Sequence, residues 1–197
     1  MNTAAAHLRR HREGVLLADG TAHGVRFVLE GEAGRVVFPA DGTIMEAEEL
    51  VLFVPRESPA DDHELQLLLS AGPASEGAVD RWRAYHGAPR MNGFGAFTIE
   101  GAKFDGAVVE EALTVANPLL RVEGRLCRMI NSDRAALAGA CARLTGVEVK
   151  EPLAVGVDAH GMDVKARFGI VRLEFPGPVS DESAAERAIA ALLKGSA

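Results

Sequence analysis

The chain has 197 residues, with 21 Lys/Arg against 28 Asp/Glu and a formal net charge of -7. Hydrophobic residues make up 48% and charged residues 25%, ordinary globular usage that excludes a disordered or collagen-like chain. No apolar run reaches the ~20 residues needed to span a bilayer, and the start, Met1 to Arg10, lacks the apolar stretch of a secretory signal. Residues 1–100 hold 9 Lys/Arg against 15 Asp/Glu, and residues 101–197 hold 12 against 13. Neither half is basic, so neither nucleic acid nor an anionic membrane is expected as a partner. Cys127 and Cys141 form no CxxC pattern, so a reduced, cytoplasmic protein is expected.

Residues 1–13 read as a short polar, helical arm in which His7 and His11, four apart on one face, could chelate a metal but lack a third ligand nearby, so a solvated terminal arm is expected. From Gly14 to about Ala71 the pattern is β. Gly14 to Ala18 is a short apolar run ended by the turn Asp19-Gly20. Val25 to Leu29 and Arg35 to Pro39, joined by five Gly-rich polar residues, read as a hairpin. Glu49 to Val54 is a strand ended by Pro55, and a loop follows to Asp62, with His63 a surface residue. Leu65 to Ser70 fits either a strand or a short buried helix. Glu76 to Tyr85 is a helix candidate. Phe94 to Lys103 alternates again and is expected to pair with Phe104 to Val109 through Asp105-Gly106. Lys103 stands in an apolar context, where such a side chain usually extends outward.

The last third changes character. Asn131 reads as the N-cap of a helix carrying Leu137, Cys141 and Leu144 and stopping near Gly146. Strands are expected at Leu153 to Val157, Met162 to Ala166 and Gly169 to Phe175. The turn Asp158 to Gly161 is expected to place Gly161 at positive φ. A final helix carries Ser183-Ala184-Ala185-Glu186 as a capping box. The expected fold class is therefore α+β: an antiparallel barrel followed by a small helix–three-strand–helix module.

The chain has no Walker loop, no GxGxxG after a strand, no HExxH, no GxSxG and no EF-hand loop. Its densest polar group runs from Arg81 to Arg90 and holds the only Trp, the only Tyr, His86 and three Arg. Arginines suit carboxylates or phosphate, Trp82 and Tyr85 suit stacking, and His86 suits a metal. The alternative is an amphipathic helix that Trp82 and Tyr85 anchor to the core while the arginines stay in water. Asp158-Ala159-His160-Gly161-Met162-Asp163 offers a second cluster, for metal or acid–base work or simply as a tight turn. His23, beside Gly24, is a weaker ligand candidate.

Met129 to Leu137, Gly156 to Val164 and Leu173 to Val179 with the closing helix resemble the C-terminal domain of haem-utilisation proteins. The resemblance covers roughly residues 125–195. In that family the module follows a split barrel of the pyridoxamine-phosphate-oxidase, flavin-binding type. It implies a split-barrel domain over 1–124 and an α+β module over 125–197. It also implies a homodimer with sites for a small planar cofactor between the barrels. Haem is the implied cofactor, with flavin mononucleotide, or none in a non-catalytic binding or regulatory protein, as the alternatives. On this basis His86 is the expected axial ligand, Arg81, Arg83 and Arg90 meet propionates, and Trp82 and Tyr85 border the ring. The family motif commonly reads Asn-x-Asp-His, whereas this chain carries Arg134 in the last place. Haem-degrading members can use a histidine near the C-terminus, and this chain has none after His160. An oxidoreductase dependent on flavin would need an Arg/Lys and Ser/Thr phosphate cluster, which the barrel sequence does not display.

Overall fold

A computed structural model describes residues 3–55 and 65–195; His63 and the loop before it lie outside the described residues. The chain divides into two compact units, Met1–Ala116 and Asn117–Ala197.

The first unit is built on one curled antiparallel sheet. Its strands are β1 (Glu13–Ala18), β2 (Thr21–Arg26), β3 (Val28–Leu29), β4 (Val36–Pro39), β5 (Leu50–Val54), β6 (Leu65–Pro73), β7 (Phe94–Phe104) and β8 (Ala107–Val108). The path runs β2-β1-β5-β6-β7-β4-β3, with β8 folded back on β7. Period-two alternation explains which face is inside. Leu16 and Ala18, then Leu50, Leu52 and Val54, then Leu65, Leu67 and Leu69 all turn into one core. Residues 65–70 thus form a strand, because Gln66, Leu68 and Ser70 are left outside. The two hairpin turns are Asp19-Gly20 and Asp105-Gly106. All four residues have φ between 47° and 79°, the mirror-image turn that matches strand twist. Lys103 is exposed, as its context suggests.

Three helices accompany this sheet: α1 (Ala4–Arg10), α2 (Gly42–Met45) and α3 (Glu76–His86). The N-terminal segment is not a solvated arm. Leu8 is fully buried in the barrel core, and His7 Nε2 lies 3.0 Å from the Val54 carbonyl oxygen. The expected strand over 25–29 is interrupted: Phe27 turns inward between β2 and β3, and its N–H donates to the Arg12 carbonyl.

The second unit contains α4 (Glu123–Asn131), α5 (Arg134–Thr145), strands β9 (Leu153–Asp158), β10 (Gly161–Ala166) and β11 (Gly169–Glu174), and α6 (Glu182–Lys194). The sheet order is β11-β10-β9, and it has its own buried core. Three sequence expectations are corrected. Asn131 ends α4, and Asp133 caps α5 by accepting from the Ala136 N–H. Asp181, not Ser183, caps α6. Gly161 does not have positive φ; a Cβ there would run into the Leu173 carbonyl across the sheet.

Candidate functional site

Helix α3 carries the sequence cluster. Ser75 caps it, accepting from the Ala78 N–H at 3.2 Å, and Ser75 Oγ lies 3.4 Å from the buried carboxylate of Glu30. Arg35 grips the same carboxylate with two hydrogen bonds, at 2.7 and 2.9 Å. Glu76 in the first turn and Arg83 in the last complement the helix dipole.

Helical spacing then splits the cluster into faces. Trp82 and His86, four apart, turn together toward the segment joining β2 and β3. Trp82 Nε1 donates to the Arg26 carbonyl at 2.7 Å, and His86 Nε2 lies 3.1 Å from the Phe27 carbonyl oxygen. A carbonyl only accepts, so Nε2 is the donor in this contact. Arg81 and Tyr85 share a different face. Arg81 Nη2 donates to the Tyr85 hydroxyl at 3.2 Å, and the Arg81 and Arg12 guanidinium carbons lie 5.3 and 6.0 Å from the Tyr85 ring centre. Arg83 is exposed and pairs with Asp80 at 3.2 Å.

A cavity of about 500 Å³ opens beside Trp82 and His86, with Arg90 on its wall. Arg81, Arg83 and Tyr85 are not among its lining residues; the helix turns them to other faces. Other elements contribute Glu13 from β1 and His23 and Arg26 from β2, with Ile44 and Met91 among the apolar walls. Arg26 Nε is 3.0 Å from Glu13 Oε1, and both side chains are well exposed. Two guanidiniums thus face one carboxylate, a locally cationic site on an acidic chain. His23 sits opposite Leu16 in the β1–β2 register, and its Nε2 is enclosed with no hydrogen-bond partner among the described residues. The sequence cluster therefore supplied four wall residues, Trp82, His86, Ala88 and Arg90. Glu13, Arg26 and Met91 were missed because the pairing of β1 with β2 and the chain after α3 assemble them across more than 70 positions. No group of three or more His, Cys, Asp or Glu is placed to hold a metal among the described residues.

The second sequence cluster is structural. Asp158 Oδ1 accepts from the His160 N–H at 2.7 Å, closing the turn. Arg172 reaches Asp158 at 2.6 Å and Asp163 at 3.1 Å, and both Arg172 and Asp163 are almost fully buried. Burial opposes the guanidinium's charge, but the two carboxylates more than reverse this and hold its pKa above the ordinary arginine value.

This geometry is that of an α+β protein: a curled antiparallel half-barrel of split-barrel type, with a C-terminal three-stranded sheet and helices. No family model matches the chain, and neither does any curated protein sequence. Among solved structures, protein Atu2129 of Agrobacterium tumefaciens str. C58, described as of unknown function, superposes with a TM-score of 0.75. Its identity is 19%, over 96% of this chain and 93% of that one, which establishes a shared fold. A heme binding protein from Mycobacterium smegmatis aligns at a TM-score of 0.40 and 16% identity, over 99% of this chain and 98% of that one. No helix among the described residues is long and apolar enough to cross a membrane.

Proposed function

We propose that the cavity beside α3 binds haem or a related tetrapyrrole. One observation carries the reading: an imidazole, His86, is oriented through Nε2 by a backbone carbonyl on a wall shared with Arg90. Orientation of one ring nitrogen by a carbonyl is the usual second-shell arrangement of a metal-binding histidine. The cavity volume of about 500 Å³ falls within the ordinary range of small-molecule sites. Arg90 and Arg26 offer guanidinium forks to propionate carboxylates, while Ile44, Met91 and Trp82 provide apolar wall for a flat ring. Bound haem would supply a redox-active iron; the residues themselves account for binding, orientation and charge recognition.

Flavin mononucleotide fits less well. No Ser or Thr lines the cavity beside the arginines, so a phosphate would lack hydroxyl donors. A homodimer accompanies the tetrapyrrole reading, since β2 and β3 end the sheet path and leave strand edges for packing; sizing chromatography measures it.

The test is titration of the purified protein with ferric haem. A saturable Soret band is expected, with His86→Ala weakening binding roughly tenfold, a loss of about 1.4 kcal/mol. A wild-type protein that gives no Soret shift, or a His86→Ala variant that binds equally well, defeats the reading. Flavin titration in parallel tests the alternative.

A further inference from the structure

We propose that Glu13 is a specificity-determining residue of this cavity: by holding Arg26, it leaves Arg90 as the guanidinium that reads a ligand carboxylate. The site then recognises one carboxylate of its ligand and discounts a second. The inference rests on the tetrapyrrole reading and goes beyond it, to the number of acid groups that count in binding.

Three observations converge. First, Glu13 and Arg26 stand directly opposite one another in the β1–β2 register, and both line the cavity. Cross-strand neighbours of opposite charge attract, and the antiparallel ladder keeps them together whether or not a ligand is present. Second, the pair is wet: the Arg26 side chain is 61% exposed and that of Glu13 42% exposed, with Arg26 Nε 3.0 Å from Glu13 Oε1. A ligand carboxylate can therefore reach Arg26, but only by coming close to Glu13, and two carboxylates on one guanidinium repel each other. Third, Arg90 lines the same cavity beyond the end of α3, and no hydrogen bond or ion pair holds its guanidinium among the described residues. Its N–H donors meet a carboxylate without displacing a protein partner. Two guanidiniums against one carboxylate leave the wall one unbalanced positive charge, and Arg90 carries it. An exposed ion pair alters binding by up to about fivefold, so Glu13 weakens the Arg26 contact without abolishing it. Glu13 thus filters ligands by acid count while the attraction comes from Arg90.

The experiment is titration of the full chain at low ionic strength, where exposed charges are least screened. Three ferric probes are used: haem, its monomethyl ester and its dimethyl ester. Binding is read by Soret absorbance and by quenching of Trp82, the only tryptophan and a wall residue. The wild type is expected to bind haem and the monoester within about twofold of each other, and the dimethyl ester roughly tenfold more weakly. Arg90→Gln should erase the difference between monoester and dimethyl ester. Glu13→Gln should bind haem up to about fivefold more tightly than the monoester, and combining it with Arg26→Gln should remove that gain. Unchanged melting of the variants excludes loss of fold as the cause. A Glu13→Gln variant that treats haem and monoester as the wild type does, or a gain that survives in the double variant, overturns the assignment while leaving the tetrapyrrole reading standing. A wild type without a Soret band for any probe overturns both.

Discussion

Asn131 satisfies both backbone groups of Ala154. Its Oδ1 accepts from the Ala154 N–H at 2.7 Å, and its Nδ2 donates to the Ala154 carbonyl at 2.9 Å. Three residues along, Val157 is treated the same way by two side chains. Glu123 Oε1 accepts from its N–H at 3.0 Å, and Asn117 Nδ2 donates to its carbonyl at 2.8 Å. Side chains thus occupy the free edge of β9 where another strand would otherwise pair.

Asn131→Ala should cost about 1–3 kcal/mol, because two backbone groups lose their partner at once. Asn131→Asp should cost at least as much, since it sets a carboxylate oxygen against the Ala154 carbonyl. Urea unfolding of the two variants measures this, and stability equal to wild type would contradict the edge role.

Removing Arg172 takes a buried guanidinium partner from Asp163, which is only 2% exposed. Arg172→Met should destabilise the second unit by roughly 3–5 kcal/mol, the usual cost of breaking a buried ion pair. Adding Asp163→Asn should recover part of that loss. The double-mutant cycle, read by calorimetry, checks the sign: recovery is expected, and strict additivity would contradict the coupling.

Burial pushes the pKa of both His7 and His11 below the ordinary value of 6.5; carbonyl contacts partly offset this, and nearby cations add to it. The unfolded chain therefore binds more protons than the folded one once the pH drops below about 6.5, so stability should fall from there downward. His7→Gln with His11→Gln should flatten that part of the profile. Melting temperature measured from pH 8 to pH 5 tests it, and a parallel loss in wild type and double variant would rule it out.

Cys141 is fully buried, and burial raises its thiol pKa, whereas Cys127 is partly accessible. A maleimide should label Cys127 in the native protein and reach Cys141 only after denaturation. Peptide mass spectrometry distinguishes the two, and early labelling at Cys141 would contradict its placement.

Much of the fold was legible because local signals and burial agreed. The Asp-Gly turns, the alternation of β5 and β7 and the stop at Gly146 all follow from short-range rules. The errors have equally definite causes. Asn131 has the chemistry of an N-cap, but a strand 23 residues away claims its side chain, and Asp133 caps instead. The N-terminal segment looks polar because Leu8 is its one large apolar residue after Met1, and the barrel core takes it. At the site, sequence density marked α3 correctly but not its faces. Only helical geometry separates Trp82 and His86, on the cavity, from Arg81 and Tyr85. His23 carried little signal, since its meaning depends on the register with Leu16 and on the cavity that non-adjacent elements enclose.

The strand pairings also set an order of assembly. Strands β9, β10 and β11 pair only with their immediate neighbours in sequence, whereas Val36 of β4 pairs with Phe97 of β7. Closing a long loop costs more entropy before any contact repays it. A nascent chain can pair β4 with β3 early, but the other edge of β4 stays open until β7 has emerged from the ribosome. During that interval the open edge of β4 is available for capture by a chaperone or by another unfinished copy.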